Sequence, residues 1–291
     1  MGLRILSRDE IDDDQWNLCV SLSAGTKIYA YTWFLDAVTD RKWKGVVSDS
    51  YQAVMPFFLK RKLLIPYVTQ PFLCQQLGVF ALPGILPDKN AFYEVLKDGI
   101  LKIDIMTGSN LPAHILFTEK TNHVLNVNRS YENIRADYSR NTKRNIASAL
   151  ESGLSIVPLD DAQNLVSFLS LHDPTALVSR NMGKIKKLIS TSFKMSAGLA
   201  WGAADHEGSL HAVAYFIVER ETVYFLLCAS DDTGKNAKSM YHLIDHAIHT
   251  FAGHKNAFDF TGSSIPNIAR RNLGFGASPE TYYHVKWKKF F

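Results

Sequence analysis

Two carboxylates in the sequence are candidate general bases for proton transfer. Asp259 stands between two phenylalanines in a short apolar strand, so the alternation of side chains places it on the face opposite the rings. A carboxylate on a mostly covered strand must be paired or hydrogen-bonded, or else it holds its proton more tightly, as a general base does. Asp231 follows another apolar strand and is the second candidate. The alternative role for Asp259 is structural, as an acceptor for the amides of the turn at Gly262 and Ser263.

The segment after Asp231 has the composition of a phosphate-binding loop. Its glycine, its two lysines and its unpaired main-chain amides would face an anion at the positive end of a helix predicted over residues 238–252. The negative charges of Asp231 and Asp232 oppose the binding of an anion. The alternative role of this segment is to cap the helix without binding a ligand. The candidate phosphate-binding residues are Gly234, Lys235, Asn236, Ala237, Lys238 and Ser239.

Three cations share one face of a helix that begins after Tyr138. Arg140, Lys143 and Arg144 are spaced at i, i+3 and i+4, and arginine binds phosphate oxygens in pairs. With Tyr138 they are the candidate substrate-binding residues, for a phosphorylated acceptor or for the acceptor end of a transfer RNA. A solvated helix face is the alternative, and it is the role expected for a second basic segment at residues 180–194.

Several other chemistries are not expected from the sequence. His242, His246 and His249 share a helix, but the apolar stripe of that helix turns them toward solvent, so no metal site is predicted. The sequence contains no dinucleotide-binding, P-loop, zincin or serine-hydrolase motif.

Composition and cysteine usage indicate a cytoplasmic protein. The 291 residues are 46% hydrophobic and 21% charged, with a net charge of +4, which is ordinary for a globular chain. Its three cysteines are widely spaced and lack a C-x-x-C pair, so a disulfide framework is not expected. Cys228 is expected to be a small buried residue. No apolar run of about 18 residues occurs and the start is acidic, so neither a membrane span nor a secretory signal is expected.

Hydrophobic periodicity predicts the elements that must position these residues. The first half is predicted to have strands at 3–6, 43–48, 52–59, 102–106, 114–118 and 123–127, helices at 9–22, 31–38 and 92–101, and an irregular stretch at 66–87. The second half is predicted to have strands at 154–159, 197–205, 210–219, 222–229, 257–260 and 281–287, a helix from 162 that Asp160 and Asp161 cap, helices at 180–194, 238–252 and 265–272, and a loop at 230–237.

The two halves of the chain resemble each other. Segments 53–61 and 212–220 share Ala, Val, Phe and Arg at matching places, and each follows a strand that begins with tryptophan. Together with the matching order of elements, this favours two copies of one α/β unit. The predicted domains are an N-terminal unit at 1–133, a connecting basic helix at 134–152 and a C-terminal unit at 153–291.

Three motifs accompany this order of elements. They are Tyr138-Ser139-Arg140-Asn141-Thr142-Lys143-Arg144-Asn145-Ile146; Val54-Met55-Pro56 with Gln70-Pro71 and Gln75-Gln76-Leu77-Gly78-Val79-Phe80; and Phe258-Asp259-Phe260-Thr261-Gly262-Ser263 with Gly274-Phe275-Gly276. The order of elements resembles that of the GNAT acyl-CoA N-acyltransferases. The tandem copies and the motifs resemble the Fem family, the aminoacyltransferases that branch peptidoglycan, and the bacterial acetyltransferase-like proteins grouped with it.

This resemblance implies an α/β (α+β) fold of two tandem GNAT-like units, each a mixed, mainly antiparallel sheet flanked by helices. It also implies an N-acyltransferase that uses acyl-CoA as co-substrate and no tightly bound cofactor. In this fold the fourth strand and the strand beyond its helix splay apart, and the donor's pantetheine arm lies between them against main-chain amides. The C-terminal unit would hold the donor, and the cleft between the units would take an amine acceptor.

Two alternatives follow from the same resemblance. The first is Fem-like transfer of an amino acid from charged transfer RNA to a cell-wall or lipid amine. The second is a catalytically silent ligand-binding protein that kept the fold. The silent protein is favoured by Arg270, where many GNAT enzymes have a tyrosine that protonates the leaving thiolate, and by Leu273, where Fem-like proteins often have lysine.

Overall fold

The computed structural model describes residues 2–63, 65–108, 116–173, 175–262 and 265–289. Helices are interspersed with strands along the chain, as predicted for the α/β class. The chain divides into two compact units. The first contains the residues up to Lys120 together with those from Thr281 onward, and the second runs from Thr121 to Glu280.

The elements of the described residues are as follows. The strands are β1 (Leu3–Ser7), β2 (Lys44–Ser48), β3 (Ala53–Lys62), β4 (Ile65–Thr69), β5 (Phe80–Ala81), β6 (Lys102–Thr107), β7 (Leu116–Asn126), β8 (Ser155–Pro158), β9 (Gly198–Ala204), β10 (Leu210–Glu219), β11 (Thr222–Ser230), β12 (Ala257–Asp259) and β13 (Ser278–Lys288). The helices are α1 (Asp13–Leu22), α2 (Thr32–Thr39), α3 (Lys89–Lys97), α4 (Tyr131–Ala136), α5 (Arg140–Leu150), α6 (Ala162–Leu171), α7 (Leu177–Arg180), α8 (Met182–Lys194), α9 (Asp232–Asn236), α10 (Ser239–Phe251) and α11 (Pro266–Gly274). Among the described residues, no helix has the length and apolar run needed to cross a bilayer.

The sheets of the two units have the same pattern of strand directions. In the first unit the order is β1-β2-β3-β4-β6-β13, with β5 beside β3, and β4–β6 is the parallel pair. In the second unit the order is β8-β9-β10-β11-β12-β7, and β11–β12 is the parallel pair. The similar segments 53–61 and 212–220 lie in β3 and β10, the third strand of each sheet, which supports a duplication.

The strand that closes each sheet comes from a distant part of the sequence. β13 pairs with β6 in the first unit, and β7 pairs with β12 in the second, both antiparallel. The compact units therefore differ from the predicted segments 1–133 and 153–291, which are continuous in sequence. Local periodicity cannot reveal such a difference, because it carries no information about which distant strands form hydrogen bonds.

Several elements differ from the sequence predictions. The stretch at 66–87, expected to be irregular, contains most of β4 and all of β5, both paired with β3. The strands expected at 114–118 and 123–127 form one strand, β7, and residues 114–115 lie outside the described residues. The helix expected at 134–152 is two helices, α4 and α5, because the Ser139 hydroxyl accepts a hydrogen bond from the Thr142 amide and starts a new helix. Asp161 caps α6 as predicted, through the amide of Gln163.

Trp16 organises the packing of α1 against the sheet of the first unit. The ring is fully buried and meets Trp43 edge-on, with 5.0 Å between the ring centroids. Its Nε1 donates to the carbonyl oxygen of Ala30 at 2.8 Å. Gly45 of β2 lies directly against the ring, since a Cβ atom at this position would stand 2.4 Å from Cζ3 of Trp16. Glycine is required here because the ring occupies the space of a side chain.

Replacing Gly45 with alanine should therefore destabilise the first unit. The added methyl group must push Trp16 out of its packed position, which costs about 1–3 kcal/mol of unfolding free energy. Gly25→Ala is the matched control, because a Cβ atom there meets nothing within 4 Å, and its effect should stay within about 0.5 kcal/mol. Denaturant unfolding of both variants measures this, and equal stabilities would contradict the packing argument.

Candidate active site

In the second unit the parallel strands β11 and β12 separate after a short pairing. Residues 222–224 pair with 257–259, and β11 then continues to Ser230. Just beyond the pairing, the hydroxyl of Thr261 donates to the carbonyl oxygen of Phe225 at 2.8 Å. No described strand pairs with this side of β11 from Leu226 to Ser230. We call this gap the fork, and it is the splay that the resemblance implies.

A bulge interrupts β11 at the start of the fork. Phe216 of β10 pairs with Phe225, whereas the preceding residue, Tyr215, pairs with Leu227. Leu226 is therefore an extra residue that has no partner on β10. An extra residue reverses the direction in which the following main-chain groups point, and it bends the strand.

The bulge turns two amides toward the fork. On the N-terminal side of the bulge, the carbonyl of Phe225 points to the fork. On the C-terminal side, the amide of Asp231 points to β10, where it donates to the carbonyl of His211. Main-chain groups alternate in direction along a strand. The amides of Cys228 and Ser230 therefore point to the open side, where they can bind a carbonyl oxygen.

Asp259 lies at the closed end of the fork. Its side chain is 1% exposed. Its Oδ1 accepts hydrogen bonds from the Asn122 side-chain amide at 2.9 Å and from the Thr261 main-chain amide at 2.7 Å. The structure therefore places this candidate base beside the gap and also gives it a structural bond to the turn that follows β12. Ser263, part of the predicted turn, lies outside the described residues.

Arg271 of α11 brings a positive charge to the fork. Its Cζ lies 5.8 Å from the centroid of the Phe225 ring, and its guanidinium interacts with the Cys228 thiol. The side chain of Cys228 is exposed, so the prediction that it is buried is wrong. The fork leaves this part of β11 uncovered, which explains the difference. Arg270 and Leu273 are both exposed.

The predicted phosphate-binding loop is largely closed by its own hydrogen bonds. Its first part is α9 rather than a loop, and the Asp231 carboxylate caps this helix by accepting from the Gly234 amide at 2.7 Å. A Cβ atom on Gly234 would lie 2.1 Å from the carbonyl oxygen of His211, so glycine is needed for packing. The amides of Lys235, Ala237 and Lys238 also donate to main-chain carbonyls.

The start of α10 is the part of this segment that stays open. Lys238 is exposed and has a φ of +57°, and among the described residues no side chain caps the helix. Ser239 is 2% exposed, and its hydroxyl has no hydrogen-bond partner in the described part of the chain. By contrast, Lys235 pairs with Asp232 at 2.9 Å, and Asn236 is exposed. An anion therefore fits best at Lys238 and Ser239, at the positive end of the helix.

His211 lies between two carboxylates near the end of β11. Its Nδ1 is 2.8 Å from Asp231 Oδ2, and its Nε2 is 3.2 Å from Asp205 Oδ2. The hydrogen bond to Asp231 raises the pKa of His211 above its ordinary 6.5. Burial lowers this pKa and Asp205 raises it, and the net shift is upward. Burial opposes ionisation of Asp231, but the Gly234 amide and His211 together lower its pKa. The pKa of Asp205 is lowered by the Ser209 amide and by His211.

The first and third sequence motifs pack against each other. The Tyr138 ring is 3% exposed and meets the Phe275 ring edge-on at 5.1 Å. The amide of Ser139 donates to the carbonyl of Gly274 at 2.8 Å, and a Cβ atom on Gly274 would lie 2.5 Å from Thr142 Oγ1. Tyr138 thus belongs to the core, and its ring is not presented to a large acceptor.

The three predicted cations of α5 are exposed. Lys143 Nζ donates to the Ala136 carbonyl at 2.8 Å, and Arg144 Nη2 donates to Asn141 Oδ1 at 2.7 Å. Arg140 stands one turn earlier on the helix. Of the three, Lys143 lines a surface depression of about 480 Å³, together with Tyr131, Glu132, Arg135 and Ala136.

The histidines of α10 are less exposed than predicted. His242 and His246 are half-buried, and burial lowers the pKa of each. The His246 ring packs against Trp201 at 4.9 Å between centroids, and the exposed His249 packs against Tyr131 at 4.4 Å. The expectation that these side chains project into solvent is therefore wrong for two of the three. The described residues contain no group of three or more His, Cys, Asp or Glu side chains placed to hold a metal ion.

Sequence reasoning missed the partners that fix the two candidate bases. Asn122 reaches Asp259 from 137 residues away in the chain, and His211 reaches Asp231 from 20 residues away. Neither separation leaves a local pattern. The one signal for Arg271 is its position in the last turn of a predicted short helix, which also fits a helix-stabilising charge.

Comparison with known proteins supports the fold. No protein-family model matches the sequence, and no curated protein matches it. The chain is similar to the crystal structure of FemX, with a TM-score of 0.69 at 10% identity, over 98% of this chain and 97% of that one. It is also similar to L-PGS from Bacillus licheniformis, with a TM-score of 0.59 at 9% identity, over 96% of this chain and 93% of that one.

A third similar structure is a tandem GNAT protein from the clavulanic acid biosynthesis pathway. Its TM-score is 0.56 at 12% identity, over 98% of both chains. These identities are too low to assign a reaction, but the likeness extends over nearly the whole chain. The chain therefore has the fold of FemX and of this tandem GNAT protein, as its sequence predicts.

Gly234→Ala should destabilise the second unit. The new methyl group collides with the main chain at His211, which cannot rotate away, so we expect a loss of about 3 kcal/mol of unfolding free energy. Gly183→Ala in α8 is the matched control, because it meets nothing within 4 Å and should gain about 0.5 kcal/mol. Denaturant unfolding of both variants measures the difference. A stable Gly234→Ala protein would show that this segment is a loose loop.

Removing His211 should make stability less dependent on pH. Because its folded pKa is raised, its contribution is complete below the unfolded value of 6.5 and disappears as the pH rises through the folded value. The lowered pKa values of Asp205 and Asp231 add stability above their unfolded value of 3.8, which is lost as the pH falls through the folded values. In thermal unfolding, the melting temperature of His211→Gln should lie further below that of the parent protein at about pH 5.5 than at about pH 8.5. A constant difference across this range would contradict the charge argument.

Proposed function

We propose that the chain is an N-acyltransferase that holds an acyl-CoA thioester in the fork and transfers its acyl group to an amine. The observation that carries this proposal is the open side of β11, where the bulge directs the amides of Cys228 and Ser230 away from β10. Main-chain amides aimed at a thioester carbonyl can bind the oxygen as it gains negative charge. Such donors require no particular side chain, so the fork can serve an acyl donor although the tyrosine and lysine of related enzymes are absent here.

The proposed reaction is a direct transfer. The neutral amine nitrogen attacks the thioester carbon, a C–N bond forms, and the oxyanion rests against the amides of the fork. Collapse of this intermediate breaks the C–S bond, and the thiolate leaves. The proton lost from nitrogen passes to a carboxylate and is then available to the thiolate, so the products are an amide and free coenzyme A.

Asp259 is the better candidate for the carboxylate. It is buried at the closed end of the fork, where few water molecules can compete for the amine proton. Asp231 is engaged by His211 and by the Gly234 amide, and its pKa is lowered, which makes it a weak base. We therefore assign proton acceptance to Asp259 and helix capping to Asp231.

The phosphates of the donor fit the start of α10. Lys238 is exposed there, and the buried hydroxyl of Ser239 has no hydrogen-bond partner in the described residues. The earlier members of the predicted loop, from Gly234 to Ala237, contribute to α9 and its packing. The phosphate subsite is thus narrower than the sequence predicts.

Aminoacyl transfer from charged transfer RNA is the second candidate function. It is favoured by the three exposed cations Arg140, Lys143 and Arg144 of α5, of which Lys143 lines the depression on α4 and α5. This function requires RNA binding that weakens steeply with salt and that is lost when the three charges are reversed. The acyl-CoA proposal requires neither property.

Acetyl-CoA should protect Cys228 from alkylation. Of the three cysteines, Cys228 alone is exposed, and burial raises the pKa of the Cys19 thiol to about 11 and that of the Cys74 thiol further. Partial loss of hydration beside the neighbouring groups raises the pKa of the accessible Cys228 thiol, and Arg271 opposes this shift, so the reaction with iodoacetamide is run at alkaline pH. Mass spectrometry should find alkylation at Cys228 that slows about tenfold when acetyl-CoA occupies the fork. Equal protection by inorganic pyrophosphate would contradict binding in the fork.

Variants separate the parts of this proposal. Lys238→Gln should weaken the protection several-fold, and Lys194→Gln, an equal change of charge at the exposed end of α8, should leave it unchanged. Asp259→Asn should keep the protection and reduce acetylation of an amine mixture about a hundredfold, whereas Asp232→Asn should keep both. Protection without any acetylated amine from the parent protein would instead identify the catalytically silent protein.

A further inference from the structure

The hairpin that joins β3 to β4 in the first unit ends in an apolar tip. Lys62 pairs with Ile65 across the turn of this hairpin. Leu63, in this turn, is 89% exposed, and Ile65 is 48% exposed. Leu63 also has a φ of +48°, a conformation that two-residue hairpin turns normally give to Asn, Asp or Gly. A bulky aliphatic residue in a strained, exposed position is a candidate for contact with a partner.

Cations from three strands lie at the same end of the sheet as this tip. Arg61 pairs with Pro66, the Leu101 amide donates to the Pro66 carbonyl, and the Lys289 amide donates to the Leu101 carbonyl. The ends of β3, β4, β6 and β13 are thus neighbours. The exposed cations at these ends, which we call the basic edge, are Arg61, Lys62, Lys102, Lys288 and Lys289.

Carboxylates offset only part of the charge of the basic edge. Asp104 pairs with Lys102 at 2.7 Å and with His284 at 2.7 Å, and Asp98 is exposed after α3. Trp287, partly exposed on β13, packs against the core of the first unit and has Lys97 over its ring at 5.5 Å, and Lys97 in turn pairs with Glu94 at 2.6 Å.

We propose that the basic edge and the Leu63 tip bind the surface of an anionic phospholipid bilayer. The cations attract the headgroups, and Leu63 and Ile65 enter the boundary between the headgroups and the acyl chains. Nucleic acid would need the cations but not exposed aliphatic side chains, so the hairpin tip favours lipid. This inference concerns a surface of the first unit and does not depend on the proposed function.

Vesicle sedimentation with the full chain tests the proposal. Vesicles of phosphatidylcholine with added phosphatidylglycerol should sediment the protein at low salt, and pure phosphatidylcholine vesicles should sediment far less of it. Arg61→Glu with Lys62→Glu should reduce binding about tenfold. Arg180→Glu with Lys186→Glu is the matched control, because it makes the same change of net charge at exposed residues of α7 and α8 and should leave binding unchanged.

Leu63→Asn separates lipid binding from plain charge attraction. Asparagine suits the turn, so the thermal stability should stay the same or rise, while binding to anionic vesicles falls several-fold. Equal binding to pure phosphatidylcholine, an equal loss in the control pair, or unchanged binding by Leu63→Asn would each overturn the proposal. Binding of polyuridylate that is lost on reversing Arg61 and Lys62, yet unaffected by Leu63→Asn, would also overturn it and assign the edge to nucleic acid.

Discussion

The arrangement of the candidate site depends on one extra residue in β11. Without Leu226, successive residues of β11 would point their carbonyls and amides alternately to β10 and to the opposite side along the whole strand. The bulge reverses that alternation, bends the strand and lets β11 leave β12 after three paired residues. The hydroxyl of Thr261 satisfies the last carbonyl before the gap. The amides beyond it, at Cys228 and Ser230, are then left for a ligand or for water, because a main-chain donor without a partner is costly when buried.

The two ends of the fork have different chemistry. At the closed end, Asp259 is held by Asn122 and by the turn amide of Thr261, in a buried setting that suits proton transfer. At the open end, His211 lies between Asp205 and Asp231, and its protonated form offsets part of their negative charge. This compensation matters because a phosphate at the start of α10 would otherwise meet two unscreened carboxylates.

Sequence patterns predicted the features that depend on residues close together in the chain. The bounds of β10 are those predicted, 210–219, and the capping role of Asp161 is confirmed. The bulge at Leu226 could not be predicted, because an apolar run has the same composition with or without an extra residue. For the same reason Cys228, at the end of that run, was assigned to the interior, and the exchange of β7 and β13 between the halves left no periodic signal. The sequence predicts the fold class and a position of Asp259 beside a fork, but it does not predict that Asn122 is the partner of Asp259.

Amide hydrogen exchange, resolved to single residues of β11 in the free protein, tests the account most directly. If the bulge reverses the strand as described, the amides of Leu227 and Ala229 bond to β10 and exchange slowly, while those of Cys228 and Ser230 exchange fast. Adding acetyl-CoA should then slow the two fast amides and leave the other two unchanged. Uniformly slow exchange of all four amides in the free protein would mean that β11 has no open side, and the fork could not receive a thioester.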